Sequence, residues 1–110
     1  MKTYLVLVTA PAEGDVADGL AKTLVEERLA ACVNLVPGVS STYRWQGQVV
    51  RDQEALLLIK TSEDRLDDLV RRVVELHSYS VPEVIAFPVE KGHLPYLDWV
   101  RAETRPQEGR

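Results

Sequence analysis

Between Leu76 and Glu83 the chain reads LHSYSVPE, which puts His77, Tyr79 and Glu83 within one short stretch. An imidazole, a phenol and a carboxylate so close together can ligate a metal or move a proton. The same stretch separates an amphipathic run from an apolar one, so it also reads as an ordinary helix-to-strand junction. A lone imidazole supplies one ligand where copper and zinc sites need three or four. A metal at His77 therefore has to recruit Glu83, water or another subunit. As a structural residue His77 sits at a helix C-terminus, which favours its cationic form. Glu83, just after Pro82, is in a place where acids commonly cap a neighbour or pair with a cation such as Lys60.

The remaining reactive side chains are sparse. Cys32 is the only cysteine, which excludes an intrachain disulfide and every CxxC site and fits a reducing cytoplasm. It reads as a buried, inert thiol. Tyr43, Trp45, Tyr79, Tyr96 and Trp99 either line a crevice or pack an interface, and interface packing needs fewer assumptions. His93, in KGHLP, reads as a solvated loop residue. The chain holds no Gly-rich phosphate loop, Ser elbow or HExxH, and the loop TAPAEGD lacks an arginine for acyl-phosphate chemistry. The expectation is a protein that is not an enzyme.

These residues have to be positioned by a chain of 110 residues, long enough for one hydrophobic core and too short for two. Thirteen basic residues against seventeen acidic ones leave a net charge of −4, with no basic cluster denser than Arg71-Arg72. Phosphate neutralisation has little to work with, which argues against a nucleic-acid partner. No apolar stretch approaches the roughly 20 residues that cross a bilayer, and MKTYLVLVTAP reads as a strand rather than a signal.

Thr3 to Ala10 is apolar on both alternating faces and predicts a buried strand, closed by PAEGD. From Asp15, an N-cap residue, the repeat of Ala17, Leu20, Ala21, Leu24 and Arg28 predicts a helix to about Ala31. Cys32 to Thr61 reads as two strands joined by a turn at Gln46-Gly47, with a bulge or bend at Pro37-Gly38. A second helix is expected from Thr61 or Ser62, with Leu66, Leu69, Val70, Val73 and Val74 on one face and His77 continuing the stripe. VIAFPV then gives a short strand, kept to an edge or bulge by Pro88. HLPYLDWVRAET gives a helix, and 105–110 a frayed tail. The order βαββαβ plus a C-terminal helix predicts one α+β, ferredoxin-like domain over 1–110, an antiparallel sheet with helices on one face.

Such a sheet should be apolar on one face and polar on the other. Here Leu5, Leu7, Leu56 and Leu58 lie opposite Val6, Val8, Leu57 and Ile59, so a second apolar face needs a cover, and another subunit is the natural one. Length agrees. The run from Cys32 to Trp45, extended at about 3.3 Å per residue, spans roughly 46 Å. A domain of this size is about 34 Å across, so the hairpin overshoots it. A closed symmetric oligomer satisfies such an overhang without making fibres, with Tyr43 and Trp45 as anchors.

Taken together, TAP, LAACVNLVPGVSSTYRWQG, EALLLIKT, HSYSVPEVIAFPV and YLDW resemble the CutA divalent-cation-tolerance family along nearly the whole chain. The resemblance implies a ferredoxin-like protomer in a tight homotrimer held by the long central strands, with a role in tolerance to copper and other divalent ions. The family's proposed copper ligands are a cysteine just before TAP and a His-His pair before Pro-Tyr. Here Val8 and Leu76 stand at the cysteine and first-histidine positions and Ser78 replaces the proline, so only His77 and Tyr79 match. Any copper, or other divalent cation, is then expected weakly at His77 with Glu83. A PII-like signalling trimer holding a small anion between subunits is the alternative, although no segment is long and polar enough for its mobile loop.

Overall fold

The structure, a computed structural model, describes residues 1–106. Its strands are β1 (Thr3–Pro11), β2 (Cys32–Trp45), β3 (Gln48–Ser62) and β4 (Val84–Pro88); its helices are α1 (Val16–Glu26), α2 (Leu66–Leu76) and α3 (Leu94–Glu103). The sheet order is β2-β3-β1-β4, with every neighbouring pair antiparallel. This is the α+β arrangement the sequence predicts.

One face of the sheet carries Val6, Val8, Ala10, Leu57 and Ile59, which pack with Leu20 and Leu24 of α1 and Leu69 and Val73 of α2 into a single core. The register places Leu5 and Leu7 on the other face, beside Lys60 and Leu58 of β3 and Phe87 and Ile85 of β4. On this open face Leu5, Leu7, Leu56 and Leu58 are half-buried, whereas Ile85 and Phe87 are 47% and 48% exposed.

β1 pairs with β3 only as far as Pro11↔Glu54, while β2 and β3 stay paired to Trp45↔Gln48. The far end of the hairpin is therefore a two-stranded ribbon with no third strand, and the molecule reaches 45 Å along its longest axis. Gln46 and Gly47 both take positive φ, 50° and 78°, as a two-residue turn matched to strand twist requires. The expected irregularity is a register shift between Val36 and Val39, with Gly38 at φ 73°.

Three boundaries differ from the sequence reading. α1 stops at Glu26 rather than near Ala31, because Arg28 turns left-handed (φ 61°) and the amides of Leu29 and Ala30 both bond the Leu24 carbonyl. Arg28 thus leaves the helical stripe, and its guanidinium donates to the carbonyls of Ala102 and Arg105. α2 begins at Leu66, not at Thr61 or Ser62. Both of those residues end β3, the Thr61 hydroxyl donating to Leu29 O and Ser62 sharing a hydrogen bond with Thr104, and a 3-10 turn at Glu63–Arg65 follows. Val74, expected on the apolar stripe, is exposed. Finally, Arg105 is not frayed: it donates to both carboxylate oxygens of Asp64 (2.6 and 2.7 Å) and to Ser62 Oγ. Residues 107–110 lie outside the described residues.

Candidate functional site

Where the hairpin leaves the sheet, a cleft of about 600 Å³ opens on the uncovered face. Thr9 of β1 forms its floor; Ser41, Tyr43 and Trp45 of β2 and Asp52 and Glu54 of β3 form one wall; Tyr79 to Val81 and Glu83 form the other. Alternation along the strands explains the first wall. Ser41 sits opposite Asp52, and Val39 opposite Glu54, so the acids two apart on β3 share a face with the aromatics two apart on β2.

His77 ends α2 and swings its ring away from the helix, with its backbone extended (ψ 146°). Nε2 lies 2.7 Å from the carbonyl oxygen of Thr9, and the Tyr79 amide donates to Nδ1 at 3.1 Å. A carbonyl only accepts and an amide N–H only donates, so the ring is the neutral tautomer with its proton on Nε2. This corrects the cationic form expected from the helix terminus: in a residue only 8% exposed, the ring bonds a strand carbonyl instead of the last helical turn.

Glu83 is exposed, and Thr9 Oγ1 donates to its Oε1 at 3.4 Å. Lys60 is not its partner; that ammonium donates to Asn34 Oδ1 and to Leu58 O. The two residues singled out for metal thus meet the same threonine, His77 through its carbonyl and Glu83 through its hydroxyl. Both nitrogens of His77 are engaged, and Val8, at the family's cysteine position, is sealed in the core. Among the described residues no three His, Cys, Asp or Glu side chains converge on a point where one ion could be held.

Asp52 and Glu54 carry no role in the sequence reading, and the structure makes them the acidic wall of the cleft. Tyr79 donates to Glu54 Oε2 at 2.7 Å, and Tyr43 donates to Asp52 Oδ2. Burial, then the Glu54 carboxylate, pushes the Tyr79 phenol well above its ordinary range, and the bond to Asp52 raises Tyr43. Both phenols stay protonated donors. Their period-two pattern, Asp52 and Glu54 against Tyr43 and Trp45, was visible; what it faced was not, because Tyr79 arrives from a distant segment. The lining of the cleft within one chain holds no basic residue.

The model of the "CutA1 divalent ion tolerance protein" family matches residues 4–103. The chain is 57% identical over 100 residues to the divalent-cation tolerance protein CutA of Thermus thermophilus, covering 91% of this chain and 96% of that one. It is 48% identical over 103 residues to the rice protein "CutA 1, chloroplastic", covering 94% of this chain and 58% of that longer one. A solved structure of the Thermus thermophilus Cut A1 superposes with a TM-score of 0.90 at 54% identity, covering 94% of this chain and 99% of that one. The chain belongs to the CutA1 divalent ion tolerance protein family.

Proposed function

We propose that this protein works as a homotrimeric, non-catalytic divalent-cation-tolerance protein that contacts copper or another divalent ion only weakly. The observation that carries the trimer is the open sheet face. Leu5, Leu7, Leu56, Leu58, Ile85 and Phe87 form an apolar surface on the face away from α1 and α2, where α3 is tied down at the Ser62 end and Ile85 and Phe87 stay about half exposed, beside a hairpin that projects past its sheet. Copies arranged around a closed axis bury such a face and cap the overhang, whereas open association would build fibres. A reducing cytoplasm suits the single free thiol, Cys32.

The metal contact is weak because its donors are already engaged. For Cu²⁺ to use His77, either the Tyr79 amide or the Thr9 carbonyl has to release the ring, and Glu83 is the nearest carboxylate that shares Thr9. That cost sets the affinity at micromolar or poorer, about −8 kcal/mol at best. Analytical ultracentrifugation at micromolar protein should give the trimer mass, and a monomer overturns the assembly. Calorimetric titration with Cu²⁺ should show weak binding that His77→Ala removes and Cys32→Ser leaves intact. Nanomolar binding that survives His77→Ala places the ion elsewhere.

A further inference from the structure

Arg28 holds a backbone conformation that an arginine rarely takes. Its φ of 61° lies in the left-handed region just past the end of α1, where glycine is the usual residue and a β-carbon is strained. Strain that persists under a long side chain points to a use for that side chain. The guanidinium has one. Its Nε donates to the carbonyl of Arg105 at 2.8 Å and its Nη2 to that of Ala102 at 3.1 Å, with the Glu103 carboxylate 3.9 Å away. Arg28 thus caps the C-terminus of a helix other than its own, where a cation also suits the helix dipole.

α3 depends on this cap more than the other helices would. α1 sends Leu20 and Leu24 into the core and α2 sends Leu69 and Val73, but no residue of α3 belongs to that core, and within the helix only Val100 is buried. Its start has no side-chain cap at His93. Its end is fully tied: the carbonyls of Val100, Arg101 and Ala102 accept from Thr104, Arg105 and Arg28. Thr104 is also bonded to Ser62 in a buried contact, and Arg105 is paired with Asp64. α3 is therefore fastened mainly at one end, by polar groups, outside the core. Once detached, a helix of 10 residues is too short to persist in water.

A segment with few buried apolar contacts opens at a lower cost than the core does. We infer that α3 is a strap that opens as a unit while the rest of the fold stays intact, with Arg28 as its clasp. Opening breaks the Ser62–Thr104 bond and uncovers the Ser62 end of the sheet face that lies away from α1 and α2. Arg28, Ser62, Asp64 and α3 belong to one chain, so the device is tested separately from the trimer.

The experiment is native-state amide hydrogen exchange on the full-length protein, with rates corrected for each amide's intrinsic exchange. In the wild type the α3 amides should be about tenfold or more less protected than those of Val6, Leu57 and Ile59. Leu57→Ala weakens the core whether the strap is open or closed, so it should lower protection in β1 and β3 and leave α3 unchanged. Arg28→Gly relieves the left-handed backbone in both strap states, so exchange in α3 reads the lost guanidinium alone. It should lower α3 protection about tenfold. Arg28→Lys, which keeps the charge but not the two-pronged donor, should fall between, and it stands in should the glycine variant fail to fold. α3 protection equal to that of the core, or falling with the core in Leu57→Ala, means that α3 opens only with the whole fold and overturns the strap. Protection of α3 unchanged or raised in the Arg28 variants overturns the clasp. A protein that sediments as a monomer yet shows this exchange pattern loses the reading of the preceding subsection and keeps this one.

Discussion

The two faces of the sheet are made from the same strands and nearly the same residues, and they end in different environments. Leu57 points to the helices and is fully buried; Leu58, its neighbour, points the other way and stays half-exposed in the single chain. Nothing in residue type separates them. The difference is cover: α1 and α2 lie across one face, whereas on the other α3 is tied to the Ser62 end by Thr104 and Ile85 and Phe87 stay about half exposed. A strand apolar on both sides therefore has one face buried by its own chain and one that the assembly proposed above would bury.

The sharpest way to break this comparison is to truncate each face in turn. Leu57→Ala leaves a cavity in a packed core and should cost about 2–5 kcal/mol whatever the protein concentration. Leu58→Ala should instead show itself by mass action, with a melting temperature that falls on dilution more steeply than that of the wild type. Thermal melts across a hundredfold dilution series separate the two, and identical concentration dependence means the faces do not differ as described. Next in size is Trp45, half-exposed at the tip of the ribbon. As an anchor between copies, Trp45→Ala should weaken assembly by about 2 kcal/mol or more in sedimentation equilibrium. An unchanged trimer places that indole outside the interface.

The smallest effect concerns the covered end, where Arg105 closes onto Asp64. The bond from Arg105, helped by Ser62 and opposed by burial, lowers the Asp64 carboxyl from 3.8 to about 2. A depressed acid adds stability above its unfolded value that is lost as the pH falls through the folded one. Wild type and Asp64→Asn should therefore differ at pH 5 and converge towards pH 2. Both partners are more than a third exposed, at 38% and 36%, so screening holds the difference to about 1 kcal/mol or less.

How much of this was legible in the sequence depended on how far away the deciding partner lay. Strand alternation, the Gln46-Gly47 turn and the bulge after Pro37 are local, and the structure reproduces them. The end of α1 was misplaced because Arg28 is drawn out of the helix by carbonyls at Ala102 and Arg105, and the start of α2 because Ser62 is tied to Thr104. The site obeys the same rule. His77 and Glu83 stood out by chemical type, but the Thr9 carbonyl that occupies the ring lies at the other end of the chain. Asp52 and Glu54 carried no role in the sequence reading because Tyr79, which bonds Glu54, arrives from a distant segment.

The sheet order also sets a timetable for synthesis. β1 is made before the other three strands and ends at the centre, with Thr3 pairing Ser62 on one side and Tyr4 pairing Pro88 on the other. At roughly 5–20 residues per second, it waits roughly 3–12 s for its first neighbour to be synthesised. Its second arrives only after α2 has been made. Throughout that interval a strand apolar on both sides has no partner, while the β2–β3 hairpin can zip from its own turn in microseconds. In the nascent chain, protection from misassociation therefore falls to whatever holds residues 3–11 during the wait, and stalled chains ending before Ser62 should be the ones that bind a holdase chaperone.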